Sequence, residues 1–219
     1  MPLSYKGKAG KDSRRRADPP KPVGAGPDPH RREGPRPARP GRTGRRRRRG
    51  YRALVPLTVR PAERRDAEAI RTIYNREVLG STVTFDLVPR TLEEQVAWLD
   101  DHAGGHPAVV AVDDDGTVVG FGALSPWRPS RPAYATSVED SVYVDEGWRA
   151  RGVGRLILDD LLRRAEAHGF HAVFARIVGG HEASIALHAR CGFEPAGLER
   201  EVGRKFGRWL DVVVMQRLL

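Results

Sequence analysis

The chain has 219 residues, room for one ordinary domain and an extension, and a formal net charge of +10. That charge is unevenly placed: residues 1–52 hold 18 Lys/Arg against 4 Asp/Glu and the remainder holds 20 against 24, so the folded part is not a basic nucleic-acid binder. A single cysteine, Cys191, excludes an internal disulfide and a cysteine-built metal site, and no apolar run approaches the ~18 residues of a membrane span or follows the basic N-terminus as a secretory signal would.

In chain order, residues 1–53 come first, rich in proline and arginine and almost without large apolar side chains. Such a segment cannot bury enough surface to offset the entropy of ordering it, so a disordered basic tail is expected. Its run Arg45–Arg49 reads either as a solvated tail or as an arm for an anionic partner such as nucleic acid. Residues 54–219 read as one domain. Leu54–Arg60 is predicted as a strand, and Asp66 is predicted to cap a helix with Ala69, Ile70, Ile73 and Tyr74 on its apolar face. Thr91-Leu92-Glu93-Glu94 is a capping box that opens a second helix. Ala108–Val112 and Val118–Leu124, joined by Asp113-Asp114-Asp115-Gly116, form a hairpin signal.

Ser137–Val144 alternates, with Val138, Val142 and Val144 on one face and Glu139, Ser141 and Tyr143 on the other. A long helix follows from Gly152 to His168, with Leu156, Ile157, Leu161, Leu162 and Ala165 inward. Ala172–Val178 is a strand, Glu182–Arg190 a helix ended by Gly192, and Phe193–Leu198 and Arg208–Gln216 are closing strands. The order βααβββαβαββ predicts an α/β layer fold around a mixed sheet.

The chemistry begins at Arg149-Ala150-Arg151-Gly152-Val153-Gly154, between a strand and a helix. Glycine lets a ligand approach the backbone, and the helix N-terminus offers unpaired N–H groups and a partial positive charge. Arg149, Arg151 and Arg155 add fixed charge, so the segment reads as a diphosphate cradle. It matches neither GxxxxGK[ST] nor GxGxxG, which disfavours P-loop and dinucleotide folds.

The cradle resembles the Arg/Gln-x-x-Gly-x-Gly signature of the GCN5-related N-acetyltransferase superfamily, and Glu182–Phe193 resembles its second signature. Within the superfamily the chain is similar to phosphinothricin and methionine-sulfone acetyltransferases, through Thr82–Phe85, Tyr134–Val144 and Glu201–Val212. The resemblance implies a GNAT fold, with a mixed, mostly antiparallel sheet and helices on both faces. It also implies acetyl-CoA as cosubstrate, no metal, and direct attack by the amine of a small amino-acid-like substrate. It places coenzyme contacts at Val142, Tyr143, Val144, Arg149, Ala150, Arg151, Gly152, Val153, Gly154 and Arg155. Glu139 stands at the general base, since an ammonium must lose a proton before it attacks, and His188 at the acid for the departing thiolate. Phe85, Arg131 and Tyr134 stand at substrate-pocket positions, Arg131 suited to a carboxylate. Asparagine is common in the family where this chain has His181; histidine either serves as the donor or loses the contact. A cytoplasmic homodimer is the expected setting. The rival readings are a peptide N-terminal or lysine acetyltransferase, and an acetyl-CoA sensor with a nucleic-acid-binding tail.

Overall fold

The computed structural model describes residues 56–219; residues 1–55, with the basic tail and the first two residues of the expected opening strand, lie outside the described residues. Seven strands form one sheet in the order β1-β2-β3-β4-β5-β7-β6. They are β1 (Thr58–Pro61), β2 (Ala108–Val112), β3 (Val118–Pro126), β4 (Ser137–Val144), β5 (Ala172–Val178), β6 (Glu194–Lys205) and β7 (Arg208–Leu218). Neighbours are antiparallel except β4 and β5, which run parallel. The expected mixed, mostly antiparallel sheet is therefore present.

Helices cover both faces. On one, α1 (Ala67–Gly80) and α2 (Leu92–Asp101) pack Ile70, Ile73, Tyr74 and Leu99 against Val110, Phe121 and Ala123. On the other, α3 (Val153–Ala167) and α4 (Glu182–Arg190) pack Ile157, Leu158, Leu161 and Leu187 against Val138, Val173 and Ala175. Burying each of these large side chains contributes about 1.5–3 kcal/mol. Gly122 lets α3 lie close to the sheet, since a Cβ there would sit 2.6 Å from Ile157 Cγ2. Among the described residues no helix is long and apolar enough to cross a membrane.

Three expectations need correction. Asp66 stands at the N-cap position of α1 as expected, but its side chain makes no capping bond to that helix; its carboxylate accepts the Glu63 N–H at 2.8 Å and pairs with Arg60 at 2.7 Å, closing a short 3-10 turn just before the helix. Leu156 is exposed and Leu158 takes the inward place, because the buried stripe of α3 runs through Val153, Ile157, Leu158, Leu161, Leu162 and Ala165. Among the described residues the opening strand is Thr58–Pro61, so Pro56 and Leu57 of the expected Leu54–Arg60 strand are not part of it and Pro61 is. The last two strands are longer than expected. β6 is an exposed edge strand with two register shifts, so it carries no clean alternation for sequence reading to follow. The Thr91 capping box forms as expected, with Glu94 N–H to Thr91 Oγ1 at 3.1 Å and Thr91 N–H to Glu94 Oε2 at 2.7 Å.

Candidate active site

The sheet opens where β4 and β5 part. They pair only over Ser137–Asp140 and Ala172–Ala175. Beyond that point Ser141–Val144 and Arg176–Val178 line a cavity of about 870 Å³. One edge of β4 stays bonded to β3 as far as Val144. Its other edge therefore turns backbone N–H and C=O groups toward the cavity, where they need a partner.

The cradle forms one end of this cavity. Gly152 has φ +87°, a conformation that other residues adopt only with strain. The first helical bond of α3 runs from Leu156 N–H to Gly152 O at 3.1 Å. The N–H groups of Val153, Gly154 and Arg155 stand ahead of it without partners inside the helix. They carry about half a positive charge, which suits a diphosphate. Val142, Tyr143, Val144, Arg149, Ala150, Gly152, Val153, Gly154 and Arg155 all line the cavity. Arg151 does not; its guanidinium lies over the Trp148 ring, 5.0 Å from the centroid.

Arg149 is engaged elsewhere. It pairs with Glu77 of α1, whose side chain is nearly buried, and donates from Nε to Val144 O at 3.3 Å. Arg155 donates to Asp159 at 3.3 Å. The donors this end offers to an anion are thus the main-chain N–H groups and the helix end more than these paired charges. His181 lines the same wall; burial, then the nearby charge of Arg149, lowers its pKa, so its ring is neutral near pH 7.

Alternation along β4 sends neighbouring carboxylates to opposite faces. Glu139 shares the α1 face with Tyr143, which stacks on Phe121 at 5.1 Å and meets Tyr74 edge-on at 5.2 Å. Burial pushes the Glu139 carboxyl up to about 7, against the pull of the Arg176 guanidinium, while Asp140 and Glu199 add to the rise. Phe85 also lines the cavity, its ring so close to β6 that a Cβ on Gly203 would lie 2.1 Å from it. Lys205, 3% exposed, donates to Thr84 O at 2.8 Å and to Glu77 O at 3.4 Å, which fixes the segment carrying Phe85.

Asp140 and His188 occupy the α4 face. His188 Nε2 lies 3.1 Å from Asp140 Oδ2, and its Nδ1 lies 2.8 Å from Ser184 O. A carbonyl only accepts, so Nδ1 carries a hydrogen and cannot serve as base for Ser184 Oγ, 3.4 Å away. Burial depresses the His188 pKa, but the Asp140 bond and charge and the Ser184 carbonyl outweigh it, and the net shift is upward. Asp140 Oδ1 is buried with no protein partner.

Glu139, His188 and Phe85 thus reach one cavity, whereas Arg131 and Tyr134 do not line it. Arg131 sits exposed before a 3-10 turn, and Tyr134 lies 5.7 Å beneath the Arg128 guanidinium. Sequence reading missed Glu77, Asp140 and Arg176. The last two left a trace: Arg176 is the lone charge of β5, and Asp140 is the one charge on the Val138–Val142–Val144 face of β4. Glu77 left none, because its partner is 72 residues away.

The sequence matches the Acetyltransferase (GNAT) family over residues 68–193. It is 41% identical over 160 residues to an L-methionine sulfoximine/L-methionine sulfone acetyltransferase of Pseudomonas aeruginosa, a match covering 73% of this chain and 92% of that one. It is 42% identical over 164 residues to a phosphinothricin N-acetyltransferase of Streptomyces coelicolor, covering 74% and 95%. In three dimensions it is similar to a phosphinothricin acetyltransferase of Sinorhizobium meliloti solved with acetyl-CoA, with a TM-score of 0.72 and 40% identity, covering 74% and 88%.

Proposed function

The chain belongs to the GNAT acetyltransferase family and is an acetyl-CoA-dependent N-acetyltransferase, and from that premise we propose that it acetylates the α-amine of a small amino-acid-like substrate. The phosphinothricin, methionine sulfone and methionine sulfoximine types are the substrates favoured, on the strength of the relatives' names. The observation that carries this reading is the position of Glu139. It sits where β4 and β5 cease to pair, in a cavity whose other end is a helix N-terminus.

The coenzyme supplies an acetyl group activated as a thioester. The N–H groups of Val153, Gly154 and Arg155 hold its diphosphate end, and the free edge of β4 at Val142–Val144 hydrogen-bonds its arm. Glu139 takes the proton from the incoming ammonium, and a pKa near 7 suits that exchange at neutral pH. His188 is the proposed acid for the thiolate; its Nε2 lies 3.1 Å from Asp140 Oδ2, which orients the ring. Positioning of amine and thioester in one cavity supplies much of the remaining acceleration.

The protein is further proposed to be a cytoplasmic homodimer. Val202, Phe206 and Trp209 expose apolar surface on the β6–β7 hairpin, and sedimentation velocity tests the dimer. A thiol-release screen of free amino acids, amino-acid analogues, polyamines and peptides tests the substrate class. Turnover confined to peptides would exclude it.

A further inference from the structure

An α-amino acid carries its amine and carboxylate on one carbon, so a site that deprotonates the amine must hold the carboxylate beside its base. Among the described residues lining the cavity, the arginines are Arg149, Arg155, Arg176 and Arg190. Arg149 and Arg155 belong to the cradle end and are paired with Glu77 and Asp159. Arg190 ends α4, on the opposite face of the sheet. Arg176 alone shares the face and the neighbourhood of Glu139. Glu139 is level with Phe174 across the parallel pair, and Arg176 follows Phe174 by two residues on the same side of β5.

We propose that Arg176, held by Glu199, is the specificity residue that receives the α-carboxylate of the substrate while Glu139 receives the amine proton. Arg176 donates through one terminal nitrogen, Nη2, to Glu199 on β6. That pairing crosses β7, since Arg176 is level with Val214 and Glu199 with Val212. It orients the guanidinium plane and leaves Nη1, on the end edge of the fork, as a charged donor for a carboxylate. The side chain is about one-third exposed, so a ligand reaches it. Arg131, the sequence-based choice for this role, stands on an exposed turn away from the cavity lining. A neutral amide or a peptide bond in place of the carboxylate would forfeit the charged contact, which separates free amino acids from peptides.

The inference rests on the amino-acid reading above, and the experiment separates the two. Wild type, Arg176→Gln, Arg176→Lys and Arg131→Ala are assayed with L-methionine sulfone and with its carboxamide. The assay runs at about pH 9, well above the value of about 7 for the Glu139 carboxyl, to limit the effect of losing the Arg176 charge on its ionisation. Wild type prefers the acid in kcat/KM by about 10- to 100-fold. Arg176→Gln loses that preference through a raised KM, keeps carboxamide turnover within about twofold, and keeps its melting temperature and acetyl-CoA KM. Arg176→Lys restores part of the preference, and Arg131→Ala keeps all of it. A preference retained in Arg176→Gln, or abolished in Arg131→Ala, overturns the anchor and leaves the substrate class standing. A wild type that acetylates only amines lacking an α-carboxylate, and none of the amino acids of the thiol-release screen, overturns the amino-acid reading and the anchor with it.

Discussion

The two ends of the cavity are built in different ways. The end proposed for the coenzyme comes from one unbroken stretch, Arg149–Arg155, and offers backbone groups whose direction is set by a turn and a helix start. The end proposed for the amine is assembled from side chains on β4, β5, β6 and the segment after α1, brought together only by the sheet. Backbone donors tolerate side-chain change as long as the chain path holds. A side-chain constellation fails at any one member. The contrast also explains where the arginines of the cradle go: Arg149 braces α1, Arg151 lies on Trp148, and neither is needed to make the helix end attract an anion.

The comparison breaks most sharply at Glu139. Glu139→Gln is expected to lower kcat by about 100- to 1000-fold while acetyl-CoA affinity, measured calorimetrically, stays within about twofold. A variant retaining near-full turnover at neutral pH would remove the base from the amine end. The wild-type pH profile follows from the same group. With the ionised carboxylate as the proposed base, kcat/KM should rise about tenfold per pH unit below pH 7 and level off above it. A profile flat from pH 5 to 8 would contradict this.

At the coenzyme end the expected effect is smaller and of the other kind. Gly152→Val forces a β-branched residue to φ +87°, a strain of about 1–2 kcal/mol, with no clash because nothing lies within 4 Å of a Cβ there. The acetyl-CoA KM should rise about 5- to 30-fold with kcat little changed. An unchanged KM would mean that the diphosphate binds elsewhere.

Arg149→Ala tests whether this arginine braces or binds. Removal leaves the Glu77 carboxylate, nearly buried, without its cation, and should cost about 1–3 kcal/mol of stability in a denaturant titration. The rise in acetyl-CoA KM should be the lesser effect, and Arg151→Ala should stay within about 0.5 kcal/mol. The smallest change lies outside both ends. Thr91→Ala removes the cap of α2, should cost about 1 kcal/mol, and should move neither KM.

Much of the fold was legible in the sequence because its signals are local. The element order, the Thr91 cap, the Asp113–Gly116 hairpin and the two faces of β4 follow from capping chemistry and strand period. Leu156 misled because a three-residue apolar run offers more than one inward face, and packing against Gly122 and Val138 selects which is used. The place of Arg131, on an exposed turn outside the cavity lining, was not legible because resemblance in sequence does not carry the path of such a turn. Asp140 was passed over although it interrupts the Val138–Val142–Val144 face, since only its contact with α4 shows why a carboxylate belongs there.

By itself the sequence determined that a strongly basic, proline-rich stretch precedes a stretch with α/β patterning, and that a strand runs into a glycine turn and a helix with its amides free. These depend on dihedral preferences and hydrophobic period over a few adjacent residues. The tertiary structure alone decided that Arg149 meets Glu77, 72 residues distant, that His188 meets Asp140, 48 residues distant, and that Arg176 stands beside Glu139. Those pairings depend on where two parallel strands diverge and which face each side chain takes. That is a property of the closed sheet and its packed helices, which no short stretch of chain contains.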